Sequence, residues 1–139
     1  MSENRPLIVE TREHVRYAET DAMGVVHHAS YLVYFEEGRS HYMREMGSNY
    51  ADIEASGYRL PVVEANLRYT EGITYGDVVI IRCWLEESRS RQLTFAYDLL
   101  SANTGNKLVS GYTRHIWTEI GGKVTRAPEI WNKLLNSIF

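Results

Sequence analysis

The chain of 139 residues contains one cysteine, Cys83, and three widely spaced prolines. A single cysteine excludes an intrachain disulfide and any metal site built from several thiolates. No Pro-, Gly- or Ser-rich linker, low-complexity tract or internal repeat divides the sequence, so residues 1–139 are expected to form one domain. Long apolar runs are missing as well. Stretches such as Val78–Ile81 fall far short of the ~18 residues a membrane span needs. The opening Met1-Ser2-Glu3-Asn4-Arg5-Pro6 is polar and lacks the apolar core of a signal peptide. These absences predict a soluble, cytoplasmic protein. Excess positive charge is also lacking: 15 Lys and Arg stand against 18 Asp and Glu, a net charge of −3. That balance excludes non-specific nucleic-acid binding, which runs on phosphate neutralisation. It leaves room for a local basic pocket holding a small phosphorylated ligand.

What is present is ordinary globular material, 44% hydrophobic and 24% charged, enough for a core without staples. Residues 8–18 carry β-branched and aromatic side chains in partial alternation and predict a first strand. A loop from Glu19 to His28 follows. Ser30 offers an N-cap, and Tyr31, Leu32, Tyr34, Phe35, Gly38, Tyr42, Met43 and Met46 recur at helical spacing. Gly47 sits where a left-handed residue would end that helix. A short helical segment is expected over 49–56, then strands over 60–69, 77–87, 91–101 and 107–119. Gly121-Gly122 predicts a tight hairpin with both glycines at positive φ. Pro128 opens a closing amphipathic helix that carries Ile130, Trp131, Leu134, Leu135 and Ile138. Strand, long helix and a run of antiparallel strands make an α+β arrangement in which one sheet curls around one helix.

Chemistry concentrates between Tyr17 and Tyr31, where an acid, a glycine, two histidines and two tyrosines lead into the long helix. The first N–H groups of a helix lack intrahelical partners and carry positive dipole charge, so they can receive the carbonyl oxygen of an ester or thioester. Gly24 has no Cβ and lets a substrate approach the backbone. Asp21 is the candidate carboxylate, able to activate water or to attack an acyl carbon itself. No Ser-His-Asp set or Gly-x-Ser-x-Gly elbow is present to support a serine acyl-enzyme.

The stretch Tyr17-Ala-Glu-Thr-Asp21-Ala-Met-Gly24-Val-Val-His-His28-Ala-Ser-Tyr31-Leu-Val-Tyr-Phe-Glu36-Glu-Gly-Arg39 resembles the active-site signature of hotdog-fold acyl-CoA thioesterases. The branch it is most similar to is the 4-hydroxybenzoyl-CoA type, which includes the bacterial thioesterases associated with the Tol–Pal envelope system. The likeness extends over about residues 8–127. It implies an antiparallel sheet wrapped around one long central helix, and hydrolysis of an acyl-CoA thioester with Asp21 as general base or nucleophile. It also implies carbonyl polarisation by the backbone N–H around His28, with Gly24, Val25 and Tyr31 shaping the substrate site. His28 and Tyr17 match auxiliary positions. Another hotdog branch carries its carboxylate on the helix, which makes Glu36 and Glu37 rivals to Asp21. Arg89 and Arg91 match a cluster that contacts the coenzyme A phosphates, here interrupted by Ser90; Lys123 and Arg126 are weaker candidates. Coenzyme A would be part of the substrate, with no further cofactor and no metal. The resemblance further implies a homodimer or homotetramer with active sites at subunit interfaces.

Alternatives accompany these readings. Asp21 can be a turn residue, His28 a donor to a backbone carbonyl, Tyr17 a packing residue, and the Arg89–Arg91 turn merely solvated. His27, His28 and His41 lack the carboxylate and histidine spacing of a zinc site, and adjacent residues in a strand point to opposite faces. Cys83 lies in a strand-like run and reads as inert packing. A hotdog hydratase or dehydratase fits the spacing of Asp21 and His28 poorly. A non-catalytic acyl-CoA or acyl-carrier-protein binding module would have no need of Asp21.

Overall fold

A computed structural model of the chain describes residues 7–47 and 50–138. In order they form β1 (Ile8–His14), a 3-10 turn (Tyr17–Glu19), α1 (Ser30–Glu45), α2 (Tyr50–Ala55), β2 (Tyr58–Arg59), β3 (Val62–Tyr69), β4 (Val78–Ser88), β5 (Gln92–Ser101), β6 (Lys107–Ile116), β7 (Thr118–Glu119) and α3 (Glu129–Ile138). Five strands make one antiparallel sheet in the order β1-β4-β5-β6-β3, and β2 pairs with β7.

The sheet curls around α1, which lies on β4, β1 and β5. Alternation along the strands decides the buried face: Val79, Ile81, Cys83 and Leu85 of β4 and Leu93, Phe95, Tyr97 and Leu99 of β5 are all buried. Against them α1 sets Tyr31, Tyr34, Phe35, Gly38, Tyr42 and Met43, the spacing that one helical face requires. Each large apolar side chain buried there contributes about 1.5–3 kcal/mol. Gly38 is where the helix backbone comes down onto the sheet. A Cβ added there would stand 2.6 Å from Ile81 Cγ2, closer than carbon atoms pack. Phe35 stacks on Tyr97 with ring centroids 4.1 Å apart, at an interplanar angle of 5°.

A buried polar chain runs beneath the helix. Arg39 donates to the Tyr97 hydroxyl at 3.1 Å, Tyr97 and Thr113 share a hydrogen bond of 2.5 Å, and Thr113 meets His115 Nε2 at 2.8 Å. His115 is fully buried, with Nδ1 3.2 Å from the Leu60 carbonyl. Burial first, and then the Arg39 guanidinium, push its pKa down to about 4. The imidazole is therefore neutral at physiological pH.

Several boundaries differ from the sequence reading. The first strand stops at His14 because residues 17–19 turn into a 3-10 helix. Ser30 is the first helical residue rather than the cap. Ala29 holds the cap position with a helical backbone, so no capping side chain is available, and the Ser30 hydroxyl donates instead to the Glu19 carbonyl at 3.3 Å. Leu32 and Val33 point outward. Leu60 and Pro61 lie between β2 and β3, where proline cannot donate to a ladder. The strand expected over 107–119 breaks at Trp117, whose N–H turns to the Arg91 carbonyl at 2.9 Å. Of the glycine pair only Gly122 has positive φ, at 93°, because Gly122 alone takes the left-handed position in the turn it closes onto Glu119. Gly47 ends α1 with φ 93° and an N–H bonded to Arg44. The expected helical segment over 49–56 is α2, with residue 49 outside the described residues.

Candidate active site

The loop between the 3-10 turn and α1 is pinned at both sides. Thr20 bridges to Val26 and Val25 bridges to Thr74, while the Val26 N–H donates to the Ile73 carbonyl at 2.9 Å. Within it, Asp21 Oδ1 accepts the N–H groups of Met23 at 2.8 Å and Val25 at 3.3 Å, and Oδ2 makes no hydrogen bond to the described residues. Gly24 has φ 79° with open space where a Cβ would be. Glycine takes this left-handed backbone without strain. The carboxylate is exposed and borders a cavity of about 340 Å³.

That cavity also takes in Val25, His28 and Tyr31, and from the β3–β4 connection Tyr69, Thr70, Glu71 and Gly72. The Tyr69 hydroxyl donates to the His28 carbonyl at 3.0 Å, and the Tyr31 and Tyr69 rings meet edge to face at 5.6 Å. Burial raises the pKa of the Tyr31 phenol, keeping it neutral. A Cβ at Gly72 would lie 2.9 Å from Val25 Cγ1, so glycine there lets the two loops touch.

The His28 main chain differs from that of its neighbours. The neighbouring N–H groups are all used: His27 donates to the Glu19 carbonyl at 2.8 Å, Ser30 donates to the His27 carbonyl at 2.9 Å, and Ala29 donates to His27 Nδ1 at 3.1 Å. The His28 N–H bonds to no group of the described residues. It is a free donor just ahead of the positive end of a 16-residue helix. The two histidines lie in this loop, not on a strand, and their rings pack together at 4.1 Å. Among the described residues no cluster of three or more His, Cys, Asp or Glu side chains suits a metal ion.

Five sequence candidates thus meet at one cavity: Asp21, Val25, His28 and Tyr31 on its wall, with Gly24 in the loop that shapes it. Tyr17 stands outside it, 77% exposed, with its ring edge-on to Tyr75 at 5.8 Å. Glu36 and Glu37 face two other cavities, Glu36 beside Arg39 and Leu60, Glu37 beside Arg16 and Glu19. Arg89 and Arg91 are at the far end of the sheet. The Asp21 loop follows β1, whose last residue His14 pairs with Val78 at the start of β4, and the arginines follow the end of that 11-residue strand. Ten strand steps put roughly 33 Å between the two ends. Arg89 is paired with Glu87 at 2.8 Å, and Arg91 approaches the Ser90 hydroxyl at 3.4 Å. The Ser90 carbonyl accepts the Ala127 N–H at 2.7 Å, which brings Arg126 to the same end, whereas Lys123 sits in the exposed turn after β7.

Sequence reasoning passed over the side of the cavity supplied by Tyr69 to Gly72, which only the sheet brings to the loop. It also passed over Glu19, buried two residues before Asp21. The one available signal was an acid followed directly by a second polar pair inside the motif.

An antiparallel sheet wrapped around one long helix is the hotdog fold, which solved relatives of this chain share. The chain belongs to the Thioesterase-like superfamily, whose family model matches residues 15–137. Its relatives include YneP of Bacillus subtilis (strain 168), 35% identical over 102 residues, 73% of either chain. The acyl-CoA thioester hydrolase YbgC of Escherichia coli O157:H7 is 27% identical over 88 residues, 63% of this chain and 66% of that one. In structure, the DHNA-CoA thioesterase from Staphylococcus aureus superposes with a TM-score of 0.89 at 29% identity, covering 94% of this chain and 90% of the other.

Proposed function

We propose that the chain is an acyl-CoA thioester hydrolase that releases a free acid and coenzyme A, with residues 1–139 acting as one cytoplasmic catalytic domain. One observation carries this reading: Asp21 and His28 line one cavity, and the His28 N–H bonds to no group of the described residues. The thioester carbonyl oxygen accepts the His28 N–H, which stabilises the negative charge that develops as the acyl carbon is attacked. Asp21 either takes a proton from the attacking water or attacks through Oδ2 to form a mixed anhydride that water then cleaves. In both routes the C–S bond breaks and coenzyme A leaves as a thiolate. Neither route calls on a metal or a cofactor. The His28 ring and Gly24, Val25 and Tyr31 position the substrate. The activities named for YbgC and the Staphylococcus aureus protein support the reaction, and the latter's substrate and the Tyr31–Tyr69 pair support an aromatic or medium-length acyl group.

The same reading makes the active unit at least a homodimer. β3 is an edge strand with one partner, β6, and Val62, Val63 and Tyr69 on it are about half exposed. Pairing two β3 edges antiparallel covers this edge. It also sets the Leu60–Pro61 end of one copy beside the Tyr69–Thr70 end of the other. The length of β4 that lies between the Asp21 loop and the Arg89–Arg91 turn in one chain is then bridged between two, and the arginines come to the end of the sheet where a nucleotide would emerge. No helix among the described residues is long and apolar enough to cross a membrane.

The test is free-thiol release from short, medium, long and aromatic acyl-CoAs, with the natural protein and Asp21→Asn in parallel. Turnover that falls by orders of magnitude in the variant, with the dimer intact, is the expected result. Equal turnover would move the chemistry off Asp21. No hydrolysis of any thioester by the natural protein would favour a binding module, and a monomer in light scattering at micromolar concentration would remove the interface site.

A further inference from the structure

Glu19 is a carboxylate buried to 7% exposure in the wall behind the active loop. Arg16 binds it three times, through its N–H at 2.8 Å, Nε at 3.2 Å and Nη2 at 2.8 Å, and the Tyr34 hydroxyl of α1 donates to Oε1 at 2.7 Å. Burial would raise the pKa of this group, but the hydrogen bonds from Arg16 and Tyr34 outweigh it and hold the carboxyl below its usual range. Its main chain is engaged as fully: the Glu19 carbonyl accepts the His27 N–H and the Ser30 hydroxyl, at 2.8 and 3.3 Å.

We propose that Glu19 is a positioning residue that aims the His28 N–H at the substrate carbonyl, acting through its clamp to Arg16 and Tyr34 and through its own carbonyl. The link is one peptide long. The Glu19 carbonyl fixes the His27 N–H and Tyr69 fixes the His28 carbonyl. The peptide that carries the His28 N–H is held at its His27 carbonyl by the Ser30 N–H, and the Ser30 hydroxyl returns to the Glu19 carbonyl, so its direction follows where residue 19 sits. The buried side chain decides that position. Tyr34 ties it to the second turn of α1, so the loop and the helix start move as a unit. A donor aimed at a developing charge loses its effect over small displacements, and an offset of about 1 Å costs on the order of 100-fold.

The inference rests on the reading of Asp21 and His28 given above, and the experiment separates the two. Glu19→Gln and Tyr34→Phe are compared with the natural protein in kcat, KM and amide hydrogen exchange at His27, with Asp21→Asn alongside. The expected result is kcat lower by 10- to 100-fold with KM within about twofold in both variants, and faster exchange at His27. Unchanged exchange and kcat in both variants would overturn the inference even where Asp21→Asn is inactive. So would a rise in KM that matches the fall in kcat, the sign of a loop merely loosened. Tyr34→Phe keeps the test open if the Gln variant folds poorly. Full turnover in Asp21→Asn beside slow Glu19→Gln would strike the catalytic assignment and leave the positioning role standing.

Discussion

Two polar centres lie along the same helix and are built in opposite ways. At the start of α1 the groups facing outward are the His28 N–H and the exposed Asp21 carboxylate, in a loop held by bridges at Thr20–Val26 and Val25–Thr74. Two to three turns further on, Arg39, Tyr97, Thr113 and His115 form a closed chain inside the core. Among the described residues the first centre leaves a donor and a carboxylate oxygen without partners; in the second, His115 and Thr113 use each other and the Leu60 carbonyl. Open valences serve ligands, whereas closed ones specify a core. Substitutions in the first centre are therefore expected to act on rate, and those in the second on stability.

The largest expected effect tests the open centre. Asp21→Asn lowers turnover by about 10³-fold or more, while its melting temperature stays within a few degrees of the natural protein in calorimetry. A large loss of stability would show that the loop is structural after all.

Next comes the closed centre and its response to pH. An imidazole with pKa about 4 in the fold, against about 6.5 in an unfolded chain, binds its proton in the unfolded state first. Stability is therefore full above pH 6.5 and declines as pH falls towards 4, by up to about 3 kcal/mol for this residue. Urea denaturation at pH 7 and pH 4.5 measures it. His115→Gln, which cannot protonate, is expected to flatten that part of the slope. An equally steep slope in the variant would assign it to other groups.

Gly38→Ala sharpens the contrast from the middle of the helix, since the added methyl meets Ile81. A loss of about 1–3 kcal/mol is expected, with kcat per folded molecule unchanged. The smallest effect belongs to the far end of the sheet. Arg89→Ser is expected to raise KM for acyl-CoA a few-fold with little change in kcat, because a phosphate contact made equally in ground and transition states changes binding alone. A fall in kcat instead would tie Arg89 to the reacting centre.

The long helix and the strands were legible because their periods were strong: Tyr34, Phe35, Tyr42 and Met43 recur as a helix demands, and β4 and β5 alternate around Ile81 and Phe95. Gly47 announced a left-handed helix end and took it, whereas the left-handed backbone at Gly24 was not foreseen. What stayed hidden depends on contacts between distant segments. Nothing near Glu19 in sequence reveals that Tyr34 will cover it, and Tyr69 to Gly72 reach the cavity only when the sheet closes. Tyr17 shows the reverse limit: the motif singles it out, yet the fold sets its ring against Tyr75. Its role stays a question for substitution rather than for pattern.

One contact ties two of these themes together. Tyr69 ends the edge strand, and its hydroxyl holds the His28 carbonyl, so the strand that would meet a second copy also holds the residue whose N–H would meet the substrate oxygen. Assembly and reactivity then share a lever arm only one side chain long. Twisting or fraying that edge would detune the donor without any change at the donor itself, and output per chain would sag on dilution well before the fold was lost.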